Sequence, residues 1–96
     1  MTQQLAEVLE RSANLKKIIQ KCNILRLWEE VVSKPVAQKT EAVKVQNKVL
    51  YVNTESSVWS QELNFLKPQI IEKINERMGG SALRDIKFSA RGVKHG

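Results

Sequence analysis

The chain has 96 residues, 42% of them hydrophobic, a length that supports one compact domain and disfavours two. Its 16 lysines and arginines against 10 aspartates and glutamates leave a net charge of +6, which favours nucleic acid or an acidic protein surface as partner, although a basic balance with no such partner is also open. No apolar run approaches the roughly 18 residues of a membrane span, and no secretion signal opens the chain, so we expect a cytoplasmic protein without a membrane partner.

Two helices are predicted in the first third of the sequence. Leu5, Val8 and Leu9 recur at helical spacing and predict a short amphipathic helix over residues 3–12. A longer helix begins near Leu15 and ends before Pro35, because the residue preceding a proline is disfavoured in helical backbone. Residues 35–40 then form a connector or one further turn. The apolar positions of the longer helix are Ile18, Ile19, Cys22, Leu25, Trp28 and Val32.

The period of the apolar residues then changes to two and predicts a β-hairpin. Val43 and Val45 alternate with polar residues, and residues 49–53 are rich in β-branched and aromatic side chains. Asn47 and Lys48 between them can form a tight turn. Lys48 is a poorer turn residue than glycine because it has to accept a positive φ, so a slightly longer loop is the alternative.

A long central helix follows the hairpin. Ser56 and Ser57 offer hydroxyl groups to cap its N-terminus, and Gly79 is suited to cap its C-terminus. Pro68 lies inside the helix and removes one backbone hydrogen bond, which predicts a kink or a short break. The residues that share the apolar face are Trp59, Leu63, Leu66, Ile70, Ile74 and Met78.

The last strand is predicted where Ile86, Phe88 and Ala90 alternate with polar residues up to Arg91, and residues 92–96 are expected to be a flexible tail. A right-handed helical crossover would pair the second and last strands in parallel. The sequence therefore predicts an α+β fold of order α-α-β-β-α-β, with the third helix kinked at Pro68. Its three-stranded mixed sheet is covered by helices on one face, in a single domain over residues 1–96 with its core at about 5–91.

No constellation of catalytic or metal-binding residues is visible. His95 lies in the predicted tail, and Cys22 lies on an apolar helix face, where cysteine behaves as a small hydrophobe. Glu29 and Glu30 are adjacent on a helix, point about 100° apart and cannot share one substrate atom. We therefore expect no enzyme activity, no metal, no cofactor and no small-molecule substrate.

Most of the positive charge lies in two segments. Residues 15–34 have five basic against two acidic residues, and residues 81–96 have four against one. The two segments form one basic surface only if the fold brings them to the same side. The candidate nucleic-acid contacts are Lys16, Lys17, Lys21, Arg26, Lys87 and Arg91.

The strands offer a further polar face. Lys87 and Arg91 share it with Ser89, and it is open either to a phosphate backbone or to solvent alone if Phe88 packs in the core. Tyr51 faces away from its apolar neighbours and either stacks on a base or packs against a neighbouring strand. Both tryptophans lie on apolar helical stripes, which is typical of core anchors. The predicted structural anchors are Trp28, Trp59, Leu63 and Phe88.

With these residues in place, the chain resembles the DciA family of bacterial proteins over about residues 5–90. The resemblance is carried by residues 27–32 (LWEEVV), 36–40, 50–63 and 70–88, in that order. It implies a KH-like domain that binds the DnaB-type replicative helicase and DNA, single- or double-stranded, and helps to place the helicase on DNA. It also implies that the domain has no ATPase activity of its own and associates with the nucleoid during replication.

The chain departs from the family pattern in three places. Family members usually have glycine at the positions of Ser33 and of the Asn47-Lys48 turn. KH domains normally hold nucleotides with a Gly-x-x-Gly clamp, and the corresponding residues 66–69 are Leu-Lys-Pro-Gln. Many relatives also have a long C-terminal extension, so we expect weak to moderate DNA affinity. The alternatives are a KH-like RNA-binding or ribosome-associated protein and an adaptor that binds only protein.

Overall fold

Three helices and three strands make up residues 18–94, the part of the chain that the computed structural model describes. Helix α1 is described from residue 18 and ends at residue 31. It is followed by α2 (Lys34–Gln38), β1 (Thr40–Gln46), β2 (Val49–Thr54), α3 (Ser57–Met78) and β3 (Asp85–Ser89). The helix predicted over residues 3–12 lies outside the described residues.

The strands form one mixed sheet in the order β1-β2-β3. Strands β1 and β2 pair antiparallel as a hairpin, whereas β2 and β3 pair in parallel. Parallel neighbours need a crossover connection, and α3 supplies it, packing against both strands. The predicted α+β class, the order α-α-β-β-α-β and the three-stranded mixed sheet are confirmed.

The hairpin turn consists of two residues with left-handed backbone. Asn47 has φ of 53° and Lys48 has φ of 63°, which matches a type I′ turn, whose twist suits the two strands it joins. The tight-turn prediction is therefore confirmed, and Lys48 accepts the positive φ that glycine would adopt more easily. The turn sets the register of the hairpin, in which Val45 pairs with Leu50 and Lys44 with Tyr51.

A β-bulge interrupts β1 between Ala42 and Lys44. A one-residue insertion reverses which face of the sheet the residues on one side of it point to, here the residues before Val43. The sequence predicts that Val43 and Val45 lie on the same face of β1. Because of the bulge, Val43 is instead 45% exposed. Thr40 faces the core instead and is buried.

The buried Thr40 hydroxyl connects three elements. The Trp28 indole N–H of α1 donates a hydrogen bond to Thr40 Oγ1 over 2.9 Å, and Thr40 Oγ1 donates to the Val36 carbonyl of α2 over 2.7 Å. Trp28 is only 1% exposed, so its indole N–H needs a protein acceptor. These two hydrogen bonds hold α1 and α2 on the first strand.

The core lies between the helices and one face of the sheet. Its buried residues are Ile24, Trp28, Val45, Leu50, Val52, Leu63, Ile70, Ile74, Leu83 and Ile86. Phe88 packs against them, with its ring centroid 6.0 Å from that of Trp28. Trp59 is half-buried at the start of α3 and is not among the residues that form or contact this cluster within the described chain.

The first described turns of α1 differ from the predicted apolar stripe. Ile18 and Ile19 are more than half exposed, and Cys22 is also exposed, so the prediction that Cys22 faces the core is wrong. The core contacts of α1 begin at Ile24. Residues 18–23 do not belong to this core or pack against it, and a helical apolar pattern alone does not show where such packing ends.

Helix α3 runs without interruption from Ser57 to Met78, with Pro68 inside it. Of the two effects predicted for Pro68, the short break therefore does not occur. The helix ends at Gly79, whose φ of 78° lies in the left-handed region, and this confirms the predicted C-terminal cap.

The predicted serine cap does not stabilise the start of α3. Ser56 occupies the N-cap position, but its side chain makes no capping hydrogen bond. Thr54, the last residue of β2, donates its hydroxyl proton to the Ser56 carbonyl over 2.8 Å. A hydroxyl has a single proton, so in the 2.7 Å contact between Thr54 Oγ1 and Ser60 Oγ the serine is the donor. The buried threonine, and not a serine cap, fixes the helix to the strand.

Replacing Thr40 with valine tests the connection to Trp28. Valine keeps the shape of the side chain but leaves the indole N–H without its acceptor, and a buried unsatisfied group costs about 1–3 kcal/mol. We expect the free energy of unfolding, measured by urea denaturation, to fall by about that amount. Thr40→Ser retains the oxygen and should cost less. In a Trp28→Phe background the effect of Thr40→Val should shrink, and an undiminished effect would contradict the assigned hydrogen bond.

Candidate nucleic-acid interface

The face of the sheet opposite the core is polar and basic. Side chains alternate along a strand, so Tyr51 of β2 points away from its buried neighbours Leu50 and Val52. The register places Lys44 of β1 on one side of Tyr51 and Lys87 of β3 on the other. Three strands thus bring two lysines and a tyrosine to the centre of one open face.

The two lysines lie close to the aromatic ring. Lys44 Nζ is 4.9 Å from the Tyr51 ring centroid, and Lys87 Nζ is 6.0 Å from it. Cation–π attraction of this kind orients an ammonium group at a modest gain in free energy. Both lysines are exposed, so the sheet presents two oriented positive charges beside one phenol hydroxyl group.

A shallow depression of about 580 Å³ adjoins Tyr51. Arg84, which precedes β3, is exposed at its edge and donates from Nε to the Asn47 carbonyl of the hairpin turn over 2.9 Å. This hydrogen bond holds the guanidinium group on the same side as Lys87. The residues around the depression include Gln46, Asn47, Tyr51, Arg84, Asp85 and Lys87. Ammonium, guanidinium, amide and hydroxyl donors together are suited to phosphate oxygens.

Asp85 is the acidic residue at this depression. Its Oδ1 lies 3.1 Å from Lys67 Nζ and accepts the Ile86 N–H over 2.8 Å. Burial acts to raise the pKa of Asp85, but the hydrogen bonds from Ile86 and Lys67 and the charges of Lys67 and Lys87 outweigh it, so this pKa lies below its usual value. Asp85 is therefore ionised at neutral pH, and Lys67 balances its charge.

The predicted contacts are spread over both layers of the fold. Lys87 lies on the open face of the sheet, whereas Lys21 and Arg26 are exposed on α1, which packs on the opposite face. Lys21 adjoins a separate cavity of about 580 Å³ that Lys48 also lines. Among residues 18–94, the basic side chains of α1 and β3 thus do not form one surface. Lys16 and Lys17 lie outside the described residues.

Arg91 does not belong to the last strand, which ends at Ser89 and not at residue 91. The chain turns there, with the Arg91 N–H donating to the Ser89 carbonyl over 2.9 Å. Gly92 N–H then donates to the Thr54 carbonyl over 3.0 Å, and Lys94 N–H to Glu41 Oε2 over 2.9 Å. Arg91 is exposed at this end of the sheet. It therefore does not share a strand face with Lys87 and Ser89, as the alternation in the sequence predicted.

Sequence reasoning missed Lys44 and Arg84 as site residues. A signal for Lys44 was present, since a two-residue turn at Asn47 and Lys48 places Lys44 opposite Tyr51 when the pairs are counted outward. Arg84 has no comparable signal, because its position depends on the register between β2 and β3.

A family model described as "Dna[CI] antecedent, DciA" matches residues 1–88. The chain belongs to the DciA family. Among similar curated proteins, a UPF0232 protein of Corynebacterium glutamicum is 28% identical over 61 residues, which are 64% of this chain and 34% of that protein. A UPF0232 protein of Streptomyces coelicolor is 30% identical over 71 residues, 72% of this chain and 37% of that protein. The resemblance to the DciA family is thus confirmed.

A third relative, a UPF0232 protein of Bifidobacterium longum, is 28% identical over 62 residues, 65% of this chain and 40% of that protein. The chain spans less than half the length of these DciA-family relatives.

Between residues 18 and 94, no three His, Cys, Asp or Glu side chains are placed to hold a metal ion. No helix in the same region is long and apolar enough to cross a membrane.

The pH dependence of stability tests the environment of Asp85. Because the folded pKa is lowered, the contribution of Asp85 is fully present above its unfolded pKa of about 3.9 and is lost as the pH falls through the folded value. We expect the urea midpoints of the wild type and Asp85→Asn to differ by a constant amount from about pH 8 to about pH 5, and to converge below about pH 4. Convergence near neutral pH would contradict the lowered pKa.

Proposed function

We propose that this domain is a non-enzymatic module that binds nucleic acid through the open face of its sheet and assists the placement of a DnaB-type replicative helicase on DNA. The observation that supports nucleic-acid binding is the cluster of Lys44, Tyr51 and Lys87, with both ammonium groups within 6.0 Å of the ring centroid. The helicase as partner rests on membership of the DciA family. Action in the cytoplasm, at the nucleoid during replication, follows from the same role.

The contact on the sheet is of the kind that positions a nucleic acid without reading its sequence. Lysine and arginine bind phosphate oxygens, and the released counterions supply much of the affinity. Lys44, Lys87 and Arg84 supply three such charges on one face. Lys21 and Arg26 lie on the helical layer and would contact a different stretch of the nucleic acid.

The sheet face is a better candidate than the groove that KH domains use. That groove depends on a glycine-rich turn between two helices, and here the corresponding residues 66–69 lie within the continuous helix α3. No backbone N–H groups in the middle of such a helix are free to grip a nucleotide. This observation disfavours clamp-type RNA binding and favours contact through side chains of the strands.

Charge removal on the sheet face tests the nucleic-acid site. In the double variant Lys44→Gln/Lys87→Gln, two phosphate contacts are lost, and we expect about tenfold weaker binding of a short DNA oligonucleotide at low salt, measured by fluorescence anisotropy. The slope of log affinity against log salt concentration should become shallower by about 2. Tyr51→Phe keeps the ring that orients both lysines and should have the smaller effect.

The matched control removes two exposed lysines from the helical side. Lys34 and Lys73 are exposed on α2 and α3, so Lys34→Gln/Lys73→Gln changes the net charge equally without touching the sheet face. An equal loss of affinity in the two double variants would mean that net charge alone drives binding. Affinity that stays flat between about 50 and 200 mM salt would exclude a phosphate-based interface altogether.

Co-purification tests the choice of partner. We expect immobilised, nuclease-treated protein to retain purified DnaB-type helicase, and the Lys44→Gln/Lys87→Gln variant to retain it equally, because the contact with protein does not need the sheet face. Retention of ribosomal RNA without helicase would instead support the RNA-binding alternative. Helicase retention with no oligonucleotide binding even at low salt would leave an adaptor that binds only protein.

A further inference from the structure

One side of α3 exposes apolar side chains to solvent. Phe65 is 82% exposed and Val58 is 66% exposed. They are seven residues apart and so lie on the same side of the helix, pointing away from the buried Leu63 and Ile70. An exposed phenylalanine beside a second exposed apolar residue is a feature of interaction sites more than of ordinary surface.

Acidic residues accompany these apolar side chains. Glu62 lies between Val58 and Phe65, and Glu72 and Glu76 continue the same side toward the end of the helix. We call the exposed set Val58, Glu62, Phe65, Gln69, Glu72 and Glu76 the α3 outer face. Within residues 18–94 its three glutamates have no ion pair, whereas Glu30 and Glu55 are paired with Arg77 and Lys39.

A groove beside this face extends its apolar surface. It has a volume of about 190 Å³ and lies between α3 and the end of α1 with α2. Its walls include the apolar Val31, Val32, Val36 and partly exposed Leu66, together with the polar Ser33, Gln69 and Lys73. The volume is of the size of one or two aliphatic side chains, so an apolar residue of a partner lying along α3 would fit there.

We propose that the α3 outer face and this groove are the docking surface for a protein segment, namely a helix that presents apolar side chains flanked by lysine or arginine. Charge complementarity identifies this occupant, since unpaired carboxylates repel nucleic acid and attract basic side chains. Apolar anchors spaced along one helix suit a helical partner laid beside it. This inference deepens the protein-binding part of the proposed function and rests on it.

The docking surface and the candidate nucleic-acid interface lie on opposite sides of the domain. Helix α3 buries Leu63, Ile70 and Ile74 against the core face of the sheet, so its outer face points away from Tyr51. The two surfaces differ in charge, and a ligand on one leaves the other accessible. The module therefore holds protein and nucleic acid at the same time.

The test uses the full chain and purified DnaB-type helicase as the probe, with binding measured by biolayer interferometry. Removal of an exposed aromatic anchor typically costs at least tenfold in affinity, so Phe65→Ser should weaken helicase binding by about that factor or more. Glu72→Lys should also weaken it, and DNA affinity of Phe65→Ser should remain within about twofold of the wild type. The matched controls are Val43→Ser, an exposed apolar residue on the sheet, and Glu29→Lys on α1.

Each other outcome overturns the inference in a recognisable way. Unchanged helicase binding in both α3 variants would place the contact elsewhere and leave the proposed function intact, whereas a wild type that binds no helicase would refute both. A fall in melting temperature beyond about 4 °C in Phe65→Ser would show that the same chain covers Phe65. A dimer that sediments as a monomer only in Phe65→Ser, with helicase binding unchanged, would make the face a contact between two copies.

Discussion

Two hydrogen bonds hold α1 and α2 on the sheet. One runs from the Trp28 indole to Thr40, and the other from Thr40 to the Val36 carbonyl. They require a hydroxyl on the core side of β1, and the bulge between Ala42 and Lys44 turns Thr40 to that side. The bulge changes the direction of the side chains only on its N-terminal side. Residues between it and the turn keep the regular register, so Lys44 stays opposite Tyr51 on the open face while Val45 stays in the core.

The sequence predicted the elements well where local chemistry decides them. Asparagine in a tight turn, apolar alternation and a glycine helix end are local signals, and the turn at Asn47 and Lys48 and the cap at Gly79 follow them. The bulge at Val43 escaped prediction because the contact it permits, the hydrogen bond from the Trp28 indole to Thr40, joins residues that are distant in sequence. The serine cap is absent for a different and local reason, since Thr54, two residues before Ser56, hydrogen-bonds to the first turn of α3.

The candidate site was predictable only in part. Tyr51 was predicted to face outward, and a two-residue turn would have been enough to place Lys44 beside it, although Lys44 was not predicted as a site residue. The position of Lys87 next to Tyr51 depends on parallel pairing across the α3 crossover, which no local pattern specifies. The charge of a segment was a weaker guide, because residues 15–34 and 81–96 have the same excess of basic residues, yet α1 packs on the face of the sheet opposite to Lys87.

Among residues 18–94, the open face of the sheet and the outer side of α3 are two large exposed surfaces. Ion pairs join neighbouring elements, Lys67 of α3 with Asp85 of β3 and Arg77 of α3 with Glu30 of α1. The charges that remain differ between the two surfaces: lysines lie around a tyrosine on the sheet, whereas on α3 three glutamates lie around a phenylalanine, with Lys73 beside them. A single ligand with one kind of charge cannot complement both surfaces. The two proposed contacts therefore need different partners, a nucleic acid on the sheet and a protein segment on α3.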